Sequence, residues 1–241
     1  MIVPEWPAPT RVRALQTTRA GGFSQGKYAS LNLADHVGDE PAHVLENRRL
    51  VGRLMPGEPL WLRQVHGVAV AEAGRDVAGI EADAALARHP GLVCVVMTAD
   101  CLPILLCNRE GTQVAAIHAG WRSLCAGVIE RCLDVMALPG ETLLAWLGPA
   151  IGIRAFEVGD EVRQAFVAAD AQAERAFLSD GRGKWRADLY ALARQRLTRR
   201  GVHAVYGGGG CTFEDEARFF SFRRDGDTGR MGSFIWLDAQ G

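Results

Sequence analysis

The chain has 241 residues, 48% of them hydrophobic, with 27 basic and 28 acidic side chains for a formal net charge of -1. That length buries a sizeable core as one domain over residues 1–241. Charges of both signs spread along the chain exclude the basic field of a nucleic-acid binder and the polybasic segment of a membrane-surface protein, so the expected partner is a small molecule.

The opening run Met1-Ile2-Val3-Pro4-Glu5-Trp6-Pro7 has neither the positive n-region nor the apolar h-region of an export signal. No stretch approaches the roughly 18 apolar residues of a membrane span, and a cytoplasmic location is expected. Residues 12–18 alternate like a strand and run into the glycine-rich turn Arg19-Ala20-Gly21-Gly22-Phe23-Ser24, and a loop continues through Ser30-Leu31-Asn32-Leu33. Pro41 opens a predicted helix striped by Val44, Leu45, Leu50, Val51 and Leu54 and ended by Pro56-Gly57, with Arg48 off the stripe. Strands are predicted over 60–65 and 68–73, flanking His66-Gly67, and then over 92–98, 104–107 and 114–117, runs apolar enough to be buried. Leu124, Val128, Cys132, Leu133 and Met136 fall at helical spacing, which sets a helix N-terminus just beyond His118, where a phosphate or carboxylate could be held. A strand over 143–147, a Gly148-Pro149 turn, helices over 161–169 and 189–200, and strands over 202–206, 219–222 and 234–237 complete the chain. Consecutive central strands with only some intervening helices imply the α/β class with a mixed sheet rather than a regular doubly wound one. The run Gly207-Gly208-Gly209-Gly210 lacks the Walker pattern and the G-x-G-x-x-G spacing, and reads as a flexible turn.

Chemistry concentrates where predicted strands end. Ala99-Asp100-Cys101-Leu102-Pro103 and His118-Ala119-Gly120-Trp121-Arg122 place a thiol and an imidazole at such ends, and Gln64-Val65-His66-Gly67 adds a second imidazole. One thiolate and two imidazoles are three ligands for zinc with a fourth position left for water, the composition of a catalytic site. Their wide separation matches no short-spacing zinc signature, so the residues alone leave three readings open: satisfied core or turn residues, a zinc site, or Cys101 as a nucleophile with His118 as its base. Cys94, Cys107, Cys125 and Cys132 sit within apolar runs and read as reduced core residues rather than disulfides.

The runs already quoted, together with Glu46-Asn47-Arg48, Thr98-Ala99-Asp100-Cys101-Leu102-Pro103, Gly148-Pro149-Ala150-Ile151-Gly152, Cys211-Thr212, Phe220-Ser221-Phe222-Arg223-Arg224-Asp225 and Gly229-Arg230, resemble the YfiH/laccase-domain family across nearly the whole chain, in family order. The likeness is closest to its enterobacterial branch, which favours a bacterial origin. The resemblance implies a zinc site of His66, Cys101 and His118, and a single α/β domain of layered helices and mixed sheets related to the catalytic domain of cytotoxic necrotizing factor toxins. Three departures stand out. Ser123 replaces a customary glycine, Phe222 a customary tyrosine, and the Gly207 to Gly210 run an aspartate and an arginine.

The family carries two functional labels. A polyphenol oxidase of the multicopper kind needs more imidazoles than the six histidines here supply, since His36, His43, His89 and His203 are scattered without a His-x-His pair; copper at the same three ligands is possible but disfavoured against Zn2+. The other label is a purine nucleoside enzyme that phosphorolyses adenosine, inosine, guanosine and methylthioadenosine and deaminates adenosine. Zinc suits deamination by activating water. The base-deaminase signature H-x-E with P-C-x-x-C is missing, so Asp100 is the candidate for orientation or proton transfer. Phosphorolysis needs cationic groups for the anion, for which Arg48 and Arg223 are the leading candidates and Arg19, Arg122 and Arg230 the others. Asn32 and Gln64 suit sugar hydroxyls or base edges, and Trp121 a stacked purine. The alternatives are a peptidoglycan editing hydrolase that removes L-serine from a muramoyl precursor, a copper oxidase, a cysteine hydrolase, and a metal module closed by a fourth protein ligand. No oligomeric state follows from the sequence.

Overall fold

Successive apolar side chains along the central strands go to opposite faces, and both faces are covered. In the computed structural model, which describes residues 1–239, the strands are β1 (Val12–Gln16), β2 (Pro59–Leu60), β3 (Val70–Glu72), β4 (Ala84–Ala87), β5 (Val93–Thr98), β6 (Leu102–Asn108), β7 (Val114–Ala119), β8 (Leu143–Leu147), β9 (Glu157–Val158), β10 (Phe177–Ser179), β11 (Trp185–Ala187), β12 (Ala204–Gly207) and β13 (Met231–Leu237). The helices are α1 (Pro41–Gly52), α2 (Trp121–Ala126), α3 (Val128–Met136), α4 (Asp160–Ala169), α5 (Leu189–Arg199) and α6 (Phe222–Asp225).

A six-stranded sheet runs in the order β12-β8-β6-β7-β4-β3 and a four-stranded sheet in the order β1-β13-β5-β2, with a small sheet β10-β11-β9 beside them. From β6, Leu102, Ile104 and Leu106 enter one core with Leu124, Leu133, Phe166 and Leu192 of the helices, whereas Leu105 and Cys107 enter a second with Cys94, Val96, Ile235 and Leu237 of the four-stranded sheet. The other face of that sheet puts Val95, Met97, Phe234 and Trp236 against Leu31, Leu33, Val51 and Trp61. This period-2 partition builds the layers, and full burial of each such Leu or Ile contributes about 1.5–3 kcal/mol. It also explains why β5 to β7 read as unbroken apolar runs. Parallel pairs β12/β8 and β3/β4 lie beside antiparallel β6/β7, β6/β8 and β4/β7, the mixed α/β sheet expected from the sequence.

Four expected elements changed. The strands over 60–65 and 68–73 shrink to β2 and β3, because the chain between them is irregular and turns through His66 at φ 59. The helix past His118 is split at Gly127, whose φ of 96 ends α2 and starts α3. No strand forms over 219–222. Phe219 and Phe220 instead fill a small core with Ala99 and Met231, and the Ser221 hydroxyl caps α6 by accepting from the Arg224 amide. Strands β4 and β9 to β11 had no clear sequence signal. The Gly207 to Gly210 turn is tethered, since Arg194 Nη2 donates to the Gly207 carbonyl (2.7 Å) and the Tyr190 hydroxyl to that of Gly210 (2.6 Å). All six cysteines are free, and burial pushes the Cys107 and Cys132 thiols up to about 12. Among the described residues, no helix is long and apolar enough to cross a membrane.

Candidate metal centre and its cavity

The β6/β7 register brings the sulfur and one imidazole together. Pro103 pairs with His118 and Leu102 with Ala119, so Cys101, one step before β6, falls beside Gly120, one step past β7. His66 arrives from the irregular segment before β3, its ring centroid 4.7 Å from that of His118. The ligand atoms of His66, Cys101 and His118 all lie within 4.8 Å of one another, close to the span of about 3.5 Å between neighbours on a tetrahedral zinc ion. His118 is buried, Cys101 half-buried and His66 exposed to the cavity, so the cluster is open on one side.

What holds the cluster is a residue that sequence reasoning missed. Asp83, fully buried, accepts from His118 Nδ1 (2.8 Å) and from three successive backbone amides, those of Val65 (3.2 Å), His66 (3.0 Å) and Gly67 (2.6 Å). Those bonds fix the left-handed backbone at His66, which a non-glycine residue rarely adopts. They also turn Nε2 of His118 toward the open position and supply the carboxylate that commonly orients a metal-bound imidazole. The one sequence signal was an acid isolated in the small apolar run from Ala82 to Ala87.

Glycine at position 120 is a matter of space, since its φ is -66. A methyl group there would fall against His66 Nδ1 and lie 3.0 Å from Cys101 Sγ. Gly120→Ala is therefore expected to weaken zinc binding by about 10-fold or more, the scale of a disturbed ligand arrangement, while melting moves little; titration of the metal-free variant against a chelator checks this. Ser123, where the family generally has glycine, is fully buried and bonds the carbonyls of His118 (2.9 Å) and Gly120 (3.1 Å), tightening the same turn.

The electrostatics carry a pH prediction. Burial alone would push His118 down, but the Cys101 sulfur and the Asp83 carboxylate outweigh it and raise it to about 9, while burial and the neighbouring His118 lower His66. A raised imidazole stabilises the metal-free fold below its unfolded value near 6.5 and loses that contribution as pH rises through about 9. Binding a cation needs His118 neutral, so zinc uptake is expected to release a proton between those values and to tighten with pH across them. Calorimetry in buffers of different ionisation enthalpy reads that proton directly.

The cluster sits in a cavity of about 430 Å³, walled by Met97, Trp121, Ile151, Phe156, Leu189 and Phe222. Three expected arginines line it. Arg122 stacks on Trp121 (4.4 Å), Arg223 is anchored by Nη1 on the Glu157 carbonyl (2.7 Å), and Arg230 donates Nη1 to the carbonyls of Thr228 (2.8 Å) and Gly229 (3.1 Å). Asp100, at φ 97, lines it too. Its Oδ1 accepts from the Thr212 hydroxyl (2.6 Å) and its Oδ2 from the Arg223 amide (2.7 Å), so it ties the Cys101 turn to the C-terminal segment. Gln64 reaches the cavity, but its amide is paired both ways with the Met97 backbone (2.8 and 2.7 Å).

The other expected residues lie elsewhere. Asn32 is fully buried, with Nδ2 on the Ala34 carbonyl and Asp39, and Oδ1 taking the amides of Ala34 and Arg230, which leaves nothing for a ligand. Arg48 stacks on Trp61 (4.1 Å) and bonds the Leu33 carbonyl and Asp35. Arg19 donates to the carbonyls of Ala29 and Glu216 against the Phe220 ring. The helix beyond His118 is only six residues long, too short for its dipole to make an anion site.

Fold and site together define an α/β protein with one open three-ligand cluster at the floor of an aromatic and cationic cavity. Residues 13–238 match the family described as multi-copper polyphenol oxidoreductase laccase. Relatives include a purine nucleoside phosphorylase of Pseudomonas aeruginosa, 56% identical over 98% of both chains, and the purine nucleoside phosphorylase YfiH of Escherichia coli, 55% identical over 98% of both. Among solved structures, a Neisseria meningitidis protein superposes with a TM-score of 0.95 at 48% identity over 99% of each chain. Another, a Bacillus licheniformis YfiH protein described as hypothetical, gives 0.89 at 30% identity, covering 94% of this chain and 93% of that one. The chain belongs to this laccase-like YfiH family.

Proposed function

We propose that the protein is a zinc-dependent purine nucleoside enzyme, which phosphorolyses adenosine, inosine, guanosine and methylthioadenosine and deaminates adenosine. The observation that carries the reading is the convergence of His66, Cys101 and His118 in a cavity that also presents aromatic faces and three guanidinium groups. Relatives of the same length bear purine nucleoside phosphorylase names. Among the described residues this cluster alone offers three metal ligands, which suits one ion better than the several coppers of a multicopper oxidase.

The donor set fits zinc: two imidazoles, one sulfur, the orienting Asp83 and no fourth protein ligand within the cluster. Bound there, zinc supplies Lewis acidity and lowers the pKa of a water toward neutrality. The chain's own groups do the remainder. Phe222 and Trp121 offer apolar faces to a purine, and a phosphate is met by Arg230, Arg122 and Arg223. Burial lowers Arg230 without neutralising it, so an anion beside it meets a charge that solvent screens little. Asp100 positions Cys101 and Arg223 through its two bonds.

A second reading has one observation in its favour: Cys101, His118 and Asp83 are arranged in the order of a nucleophile, base and orienting acid. His66 has no part in such a triad, yet its ring stands against His118. The two readings separate in one assay, in which zinc is stripped with a chelator and restored. Loss and recovery of base release from inosine with phosphate support the metal reading; activity undiminished by stripping but lost to thiol alkylation supports the nucleophile.

A further inference from the structure

His36 is the one residue before Gln64 that lines the cavity. It stands on an irregular segment, 33–39, that is tethered at almost every step. The Leu33 carbonyl accepts from Arg48 Nε (2.9 Å), Ala34 exchanges both backbone groups with the Asn32 side chain (3.0 Å each), and Asp35 Oδ2 meets Arg48 (3.3 Å). The Val37 carbonyl accepts from the Tyr28 hydroxyl (2.6 Å), and Asp39 Oδ2 from Ser24 (2.6 Å) and Asn32 (2.9 Å). Amid these bonds the His36 ring stays 61% exposed, with Asp35 Oδ1 3.5 Å from Nδ1. Such a scaffold fixes the backbone that carries the ring and leaves the ring itself free. Asn32 and Arg48, expected from sequence to touch a ligand, serve this segment instead.

The task of the ring follows from what the other lining groups are committed to. His66, Cys101 and His118 would be taken up by the metal of the proposed reading, and both Asp100 oxygens already accept hydrogen bonds. Arginines keep their protons at any working pH. A purine leaving from its sugar takes the bonding electron pair with it and needs a proton, and imidazole is the side chain that gives and regains one near neutrality. We propose that His36 is a catalytic residue of this cavity, the acid that protonates the departing purine, and that Asp35 and Arg48 are its positioning residues. The inference rests on the phosphorolysis reading given above. A phosphate oxygen bonds to the anomeric carbon, the carbon–nitrogen bond to the purine breaks, and the base takes its proton from His36. The ring is reprotonated by the hydrogen phosphate, so nucleoside and hydrogen phosphate become free base and ribose 1-phosphate with no redox change.

The test uses the zinc-loaded full chain with inosine and with 7-methylinosine, whose base departs neutral without receiving a proton. For His36→Ala and His36→Gln, kcat on inosine is expected to fall by about 10²- to 10⁴-fold. Turnover of 7-methylinosine is expected to change less than about tenfold, because its N7 methyl group and ring charge remove the need for that proton, with zinc content and melting unchanged. Asp35→Asn and Arg48→Lys are expected to show the same split between substrates at smaller size, which a merely structural role would not produce. Equal losses on both substrates, or undiminished turnover of inosine, would overturn the proposal. A wild-type protein that releases base from neither substrate refutes the phosphorolysis reading itself, and is thereby told apart from an active wild type indifferent to His36.

Discussion

Cys101→Ala is expected to lose stoichiometric zinc and with it turnover of both inosine and adenosine, leaving a folded protein. The sulfur is half-buried at the start of β6 and is the only ligand atom drawn from the β5/β6 connection. Its removal leaves two imidazoles still oriented, one through its side chain and one through its backbone, by Asp83. Because residues that merely orient a ligand already change affinity or activity by about 10- to 100-fold, loss of the ligand itself should exceed about 100-fold. Metal analysis beside steady-state rates reads both effects. A variant that keeps one zinc per chain and wild-type rates would show that Cys101 is not a ligand.

The second large effect falls on stability as well as metal. Asp83→Ala strips the acceptor from three backbone amides and from His118 Nδ1 at a fully buried position. A buried group left unsatisfied costs about 1–3 kcal/mol; the His118 nitrogen is buried and the three amides only part-buried, so the variant is expected to lose a large part, not the whole, of an ordinary domain's stability. Asp83→Asn keeps one acceptor oxygen but turns an NH2 group toward donors. It is expected to fold with a melting temperature lower by about 10 °C, since about 3 kcal/mol shifts a chain of this size by that order. Its zinc affinity is expected to fall by about 10- to 100-fold as the His66 turn and the His118 ring lose their common anchor. Melting curves with and without metal separate the two losses, and wild-type melting with wild-type affinity would remove Asp83 from the centre.

The parts of this architecture that were legible in the sequence are those whose signal is local. Strands β5 to β8 announced themselves because burial on both faces requires unbroken apolar runs, and the split of α2 from α3 was missed because Gly127 breaks a helical stripe without changing its period. Strand β4 was hidden because its four residues, Ala84 to Ala87, carry little apolar bulk and are positioned by pairing with β7. In the site, the ligand residues stood out by type and by place, at the ends of strands. Asp83 and His36 did not, because one acts through backbone amides that only the folded His66 turn presents, and the other is singled out by tethers on its neighbours rather than by anything beside it in sequence. Asn32 and Gln64 illustrate the reverse. Their amides looked available, but the fold pairs them with backbone at Ala34 and Met97.

The most direct test of a zinc-dependent phosphorolysis follows inosine with and without phosphate, on protein of measured zinc content and on Cys101→Ala. Hypoxanthine and ribose 1-phosphate are expected in equal amounts from the zinc-loaded protein, dependent on phosphate and absent from the variant. Release of no base by the zinc-loaded protein, or release that the variant sustains undiminished, would contradict that reading.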